Sequence, residues 1–231
     1  MKLFHSTYDE YYDAGVGEFP LPIRCVRNVA LAIVWAFALC MWRARMEDER
    51  YMLERSDGKG TVIICNHTSM AEVVSICTYL WRRGRIFRPI FKSEFGSHRI
   101  VEWVFSRAGG IPVERGTADM KSLRRAQHAL QRGEDVLIFP EGTRSKTGHM
   151  LPLLGGASLL ALKSGCDVVP IYIEGSYKPF HRMIVHVGRP VEMTDLRAGR
   201  MNRETCDELT RRMVAEFAQL SGGKSLPPAE A

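Results

Sequence analysis

The stretch that most constrains this chain runs from Val62 to Glu72. Val62, Ile63, Ile64 and Cys65 form a short apolar run, rich in β-branched residues, that suits a buried strand. The run stops at Asn66, and a polar turn presents His67. Next, Ser69-Met70-Ala71-Glu72 has the Ser-x-x-Glu spacing of a helix capping box, so a helix should begin there. A strand that runs directly into a helix is the repeating unit of an α/β sheet, and the rest of the chain can be tested for more of the same.

The alternation continues. The pattern predicts helices near residues 70–83, 97–107, 118–132, 157–163 and 203–220, and strands near 86–91, 110–113, 136–139, 168–173 and 183–187. The fold class is therefore α/β, with a largely parallel central sheet flanked by helices. Residues 51–220 form this domain. Residues 1–22 mix tyrosines and acids with Gly15, Gly17, Pro20 and Pro22 and should hold little regular structure. Their acidic character and the lack of a small-residue cleavage site argue against a signal peptide. Residues 221–231 (SGGKSLPPAEA) read as a disordered tail.

Residues 1–50 include the feature that sets this chain apart from a soluble domain. Val29–Trp42 is apolar without a break. As a helix it would be about 21 Å long, against about 30 Å of bilayer hydrocarbon. Arg24 and Arg27 before it, Arg43 and Arg45 after it, and Trp35 and Trp42 within it suit a segment dipped into one leaflet. A buried core helix has the same length, so both readings stand on sequence. The formal charge of +6 over 231 residues points to a polyanionic neighbour. Between Tyr79 and Arg107, seven Lys/Arg residues alternate with aromatics, a pattern for an anionic membrane surface, nucleic acid or a solvated face. The apolar segment favours the membrane. Six scattered cysteines form no CxxC pair and no Cys/His cluster, so the sequence implies neither a metal nor a disulfide framework. They read as reduced core residues of a cytoplasmic protein.

His67 and Glu72 admit two roles. Five residues apart, they would not face one another within one helix. With His67 in the turn, its ring can fold back onto Glu72, which would fix one tautomer and leave the other nitrogen to take a proton. Alternatively, Ser69 and Glu72 simply cap a helix.

Three later turns also follow strands, where ligands gather in open α/β sheets. They are Gly110-Ile111-Pro112-Val113-Glu114-Arg115, Phe139-Pro140-Glu141-Gly142-Thr143-Arg144-Ser145 and Val169-Pro170-Ile171-Tyr172. Together with Asn66–Glu72, and in this order, they resemble the four blocks of the glycerolipid acyltransferases that acylate lysophosphatidic acid (1-acylglycerol-3-phosphate). The resemblance covers roughly residues 60–190. Lys92-Ser93-Glu94-Phe95 is similar to a further Lys-x-Glu-Leu segment of that family. One position departs: Glu72 stands where the family has aspartate.

The resemblance implies direct acyl transfer, with His67 as general base, oriented by Glu72, on the acceptor's hydroxyl. It implies that Lys92, Arg115, Glu141, Gly142, Thr143 and Arg144 bind substrate, with Arg115 and Arg144 the natural phosphate ligands. It implies no metal and no bound cofactor, the co-substrate being acyl-CoA or acyl carrier protein. The partners would be lysophosphatidic acid or a related lyso-lipid and an anionic membrane at the cytoplasmic face of the inner membrane. Alternatives are another acceptor (glycerol-3-phosphate, a lysophospholipid or a lyso-aminolipid) or a noncatalytic lipid-binding relative. Nucleic-acid binding would leave the four blocks unexplained.

Overall fold

The computed structural model describes residues 7–54, 58–94, 99–114, 119–147, 149–175 and 180–224. The first helix, α1 (Tyr8–Asp13), is followed by a 3-10 turn at Val16–Glu18, the long α2 (Leu21–Trp42), β1 (Arg45–Glu47) and α3 (Arg50–Leu53). The α/β alternation then runs β2 (Val62–Cys65), α4 (Met70–Arg82), β3 (Phe87–Lys92), α5 (Arg99–Ala108), β4 (Ile111–Val113), α6 (Met120–Gln131), β5 (Asp135–Ile138) and α7 (Gly156–Ser164). It closes with β6 (Val168–Gly175), β7 (Met183–Val187), α8 (Thr194–Ala198) and α9 (Arg203–Leu220).

Seven strands form one sheet in the order β1-β7-β6-β2-β5-β3-β4. Every neighbouring pair is parallel except β6–β7. β2 is central, and its residues alternate between the two faces. Val62 and Ile64 pack with Val136, Val168 and Tyr172 against Leu130 of α6, Leu160 of α7 and Met213 and Phe217 of α9. Ile63 and Cys65 pack with Leu137, Val169 and Ile171 against Ile76 and Leu80 of α4, with Leu31 and Trp42 of α2 outside them. The fold class read from the sequence is the one observed. At the entry to β2, a Cβ on Gly60 would lie 1.8 Å from the Glu134 carbonyl oxygen, so only glycine fits between β2 and β5 there.

Several expectations change. Residues 7–20 are ordered, and Tyr11, Tyr12, Val16 and Phe19 are buried. The acids that looked like a solvated segment have partners: Asp9 and Asp13 each accept from Arg125 at 2.6 Å. α2 begins at Leu21 and takes in Arg24 and Arg27, so it is 22 residues long, about 33 Å. Cys25 and Cys40, both on α2, are exposed rather than part of the core. Arg43 and Asp48, both with positive φ, turn the chain into and out of β1, which pairs with β7 inside the stretch assigned to the membrane segment. Ser221–Lys224 is a turn rather than loose tail: Ser221 is buried and Lys224 Nζ meets Glu174 at 2.6 Å. Residues 225–231 lie outside the described residues.

Three of the seven basic residues between Tyr79 and Arg107 are spent inside the fold. Arg85 makes a two-armed bond to Asp135 (2.7 and 2.6 Å). Arg88 is fully buried, donating to the Gly109, Ala14 and Tyr12 carbonyls and to Glu134. Arg107 is buried against the rings of Tyr11 and Trp103, and Arg82 stacks on Trp35 at 4.2 Å. Part of the positive charge that suggested a polyanion is structural.

Candidate active site

His67 sits two residues past the carboxyl end of the central strand, on the segment between β2 and α4. Asn66 holds that segment in place by extending the sheet: its Oδ1 accepts from Ile173 N–H at 2.8 Å and its Nδ2 donates to the Ile173 carbonyl at 3.2 Å. The His67 carbonyl accepts from Ser145 N–H at 2.7 Å, and its ring stacks on Phe139 with centroids 4.1 Å apart. Backbone and ring are thus both fixed, which a base needs if it is to meet a reacting atom in one geometry.

Glu72 is fully buried and reaches back across the first turn of α4. Its Oε2 lies 2.9 Å from His67 Nδ1, and its oxygens also accept from Thr68 N–H (2.9 and 3.0 Å) and Thr68 Oγ1 (2.6 Å). Ser69 is the N-cap of α4, accepting from Ala71 N–H at 3.2 Å. Glu72 is thereby tied to residues 67 and 68 while Ser69 caps the helix, and the two divide the work that a capping box would share. The glutamate in place of aspartate spans the distance to Nδ1 within hydrogen-bond range. A carboxylate on Nδ1 holds the proton there, leaving Nε2 as the nitrogen able to take one.

Glu141, on the turn after β5, is a second buried carboxylate beside the same histidine. Its Oε1 accepts from His67 N–H and its Oε2 from Leu151 N–H, both at 2.8 Å. Burial pushes its carboxyl above the ordinary value, an effect opposed by those two backbone bonds. With both oxygens occupied by backbone, Glu141 ties the His67 segment to residues 149–154. Glu141 therefore has a structural role alongside the substrate-binding role expected of it.

An apolar cavity of about 440 Å³ opens beside His67. Its walls come from Met70 and Val73 of α4, Phe91 of β3, Phe105 of α5, Leu123 of α6 and Leu160 of α7. Gly142 lines it with φ +68°, and a Cβ there would lie 2.6 Å from Leu154 Cδ1, so glycine keeps this wall open. Lys92 also lines it and is ion-paired with Glu94. Thr143 and Arg144 follow Gly142 on the same turn and are exposed to solvent. Arg115 and Phe95 lie outside the described residues. The structure therefore brings His67, Gly142 and Lys92 to one cavity, with Glu72 and Glu141 bonded to His67. Sequence reasoning missed Asn66, Thr68, Phe139 and Leu151. Three of these act mainly through backbone groups or ring stacking, which leave no chemical signature in a sequence.

Comparison with known proteins places this geometry. The Acyltransferase family model matches residues 44–174. The chain is 36% identical over 126 residues to human 1-acyl-sn-glycerol-3-phosphate acyltransferase alpha, covering 52% of this chain and 42% of that protein. It is 33% identical over 119 residues to the chloroplastic 1-acyl-sn-glycerol-3-phosphate acyltransferase LPAT1 of Arabidopsis thaliana, and 31% identical over 119 residues to the chloroplastic enzyme BAT2 of Brassica napus. It spans about a third of the length of these two plant proteins (32% and 33%). Among solved structures, the 1-acyl-sn-glycerophosphate acyltransferase PlsC of Thermotoga maritima shares the fold, with a TM-score of 0.62 at 21% identity over 87% of this chain and 83% of that one.

Proposed function

The chain belongs to the acyltransferase family, and on that premise we propose that it transfers a fatty acyl group from an acyl thioester to the free hydroxyl of 1-acylglycerol-3-phosphate, giving phosphatidic acid. The observation that carries this reading is the His67–Glu72 pair opening onto an apolar cavity. His67 Nε2 takes the proton of the acceptor hydroxyl as that oxygen attacks the thioester carbonyl. The tetrahedral intermediate collapses with loss of the thiolate, which takes the proton back from the imidazolium. Glu72 stabilises the imidazolium across the 2.9 Å contact. No serine or cysteine nucleophile is required, because the thioester is already activated. General-base assistance of this kind contributes about 10²- to 10⁴-fold, and holding two amphiphiles in register supplies much of the rest.

The cavity is of the size and apolar character that bind ligands, and it suits a fatty acyl chain whose carbonyl rests near His67. We assign the acceptor's phosphate to Arg144 and Arg115 as charge-assisted donors, with Lys92 and Thr143 as further substrate ligands. The acyl donor is acyl-CoA or acyl carrier protein, and neither a metal nor a bound cofactor is needed. α2 has the length and composition to meet a bilayer, with a mean hydropathy of 1.8. We therefore assign the protein to an anionic membrane surface, on the cytoplasmic side where acyl thioesters are available.

The test is product analysis by thin-layer chromatography, using purified protein, labelled acyl-CoA and a panel of lyso-acceptors. Labelled phosphatidic acid from 1-acylglycerol-3-phosphate is the expected product. Acylation of glycerol-3-phosphate, a lysophospholipid or a lyso-aminolipid in its place would replace the acceptor but keep the chemistry. No product from any acceptor would remove the enzyme reading.

A further inference from the structure

α2 is long enough to cross a bilayer, yet it is fastened to the folded domain along its whole length. Ile23 packs with Tyr11 and Val16. Arg27 Nε donates to the Ala108 carbonyl at 3.3 Å, and Asn28 Oδ1 accepts from Trp81 Nε1 at 3.2 Å. Trp35 stacks under Arg82, Ala38 is buried, and the Met41 carbonyl accepts from Phe180 N–H at 2.5 Å. With Leu31, which packs on the core, these contacts are never more than four residues apart, and at about 100° per residue they share one side of the helix. A helix crossing the membrane in this packing would carry the guanidinium of Arg82, the side chain of Asn28 and the end of α5 into hydrocarbon. Such groups are costly there.

The opposite face of α2 is bare. Val26, Val29, Ile33 (65% exposed) and Phe37 stand at successive turns of that face. α2 also packs against α5, and α5 carries its own bare stripe one turn apart, Ile100 (80% exposed) and Val104. A further face of α5 presents Phe105 to the acyl cavity. The charge pattern names the occupant. Arg24 and Arg99 are exposed at the starts of α2 and α5, and Arg43 and Arg45 just beyond the end of α2. Phe37 and Trp42 pair edge to face near that end, beside the 70% exposed Phe180. An apolar surface edged by aromatics and arginines matches a bilayer interface with anionic headgroups, not the core of a protein interface, which is poor in charge.

We propose that α2 and α5 together form a docking surface for one leaflet of an anionic membrane, with α2 lying in the plane of the interface and Ile100 and Val104 of α5 as a second contact. The proposal deepens the assignment to an anionic membrane surface and rests on it. α5 then stands between the leaflet and the acyl cavity, and a lipid substrate reaches the site from the bilayer without crossing bulk water.

The test uses the full chain with vesicles of phosphatidylcholine containing a minority of phosphatidylglycerol. An Ile100→Asp/Val104→Asp double variant should lose roughly tenfold or more in vesicle partitioning, with unchanged far-UV circular dichroism. Ile100→Ser/Val104→Ser should show a smaller loss in the same direction, guarding against a folding artefact. Ile33→Asp on α2 should also reduce partitioning. If both α5 variants bind like the parent while Ile33→Asp does not, α5 makes no contact and the proposal falls, leaving the membrane assignment intact. If the parent chain ignores the vesicles, both fail. A parent dimer that the α5 substitutions convert to monomer, with vesicle binding retained, would make this face a contact between copies and overturn the proposal. Turnover of a micellar lyso-acceptor, measured separately, reports on the acyltransferase reading whatever the vesicles show.

Discussion

The two ends of the central sheet bury charge in opposite ways. At the amino end, Asp135 and Glu134 meet arginines: Arg85 grips Asp135 with two bonds, and Arg88 joins Glu134 at 3.1 Å. The same carboxylates also accept from backbone, Asp135 from Thr61 N–H at 3.0 Å and Glu134 from Val16 N–H at 2.6 Å. Here each of these buried carboxylates has an opposite partner, and the result ties α1, β2, β3 and β5 together. At the carboxyl end, Glu72 and Glu141 are buried against one histidine and a set of backbone N–H groups. Charge placed beside a titratable ring at the mouth of a cavity is suited to moving a proton; charge matched by guanidinium is suited to holding elements together. The same side-chain types thus do structural work at one end of the strands and, in the proposed function, chemical work at the other.

Substitutions should separate the two ends by what they lose. At the carboxyl end, His67→Ala should lower kcat by about 10²- to 10⁴-fold while leaving the melting temperature close to the parent value; a large fall in stability with normal specific activity would merge the two ends. At the amino end, Arg88→Met should cost about 3–5 kcal/mol in urea unfolding, because it strands Glu134 as a buried charge. The fraction that remains folded should turn over normally.

Glu141 tests the boundary between the two kinds of work. Glu141→Gln keeps one acceptor for two backbone donors and should cost about 1–3 kcal/mol. If its role is positioning, kcat falls and the acceptor KM stays; a rise in acceptor KM alone would make Glu141 a substrate ligand. Its burial also gives a pH signature. The folded state holds this carboxyl above its ordinary value of 4.5, so the folded protein binds that proton more readily than the unfolded chain does. The contribution of Glu141 to stability is therefore greatest below 4.5 and declines as pH rises through the folded pKa. Glu141→Gln should remove that decline from the pH dependence of stability.

Much of this was readable in the residues, and what was not has physical causes. The predicted β7 and α9 match the observed bounds because both have clean periodicity and clear ends. His67 and Glu72 were legible as a pair, since a turn followed by a cap limits where a carboxylate five residues on can go. The backbone bonds of Glu141 were not legible because nearly every residue type supplies an N–H group. Arg88 of β3 and Arg107 of α5 looked like a surface because sequence shows charge and not the partner. Arg88 is satisfied by Tyr12 and Ala14 carbonyls 76 and 74 residues away in the chain. β1 was missed for a related reason: Arg-Met-Glu has no strand signature, and it pairs only because β7 offers an edge. That edge lies about 140 residues further along the chain, outside any local pattern.

The most direct measurement of the central claim is the single-turnover rate of Glu72→Gln, read beside its urea unfolding curve. If Glu72 fixes the tautomer of His67 and stabilises its protonated form, the amide variant should lose about 10²-fold or more in acyl transfer. Its unfolding free energy should fall by no more than about 2 kcal/mol, and adding His67→Ala should lower the rate little further. A Glu72→Gln protein that acylates the lyso-acceptor at close to the parent rate would contradict the account and leave Glu72 as a structural member of the β2–α4 turn.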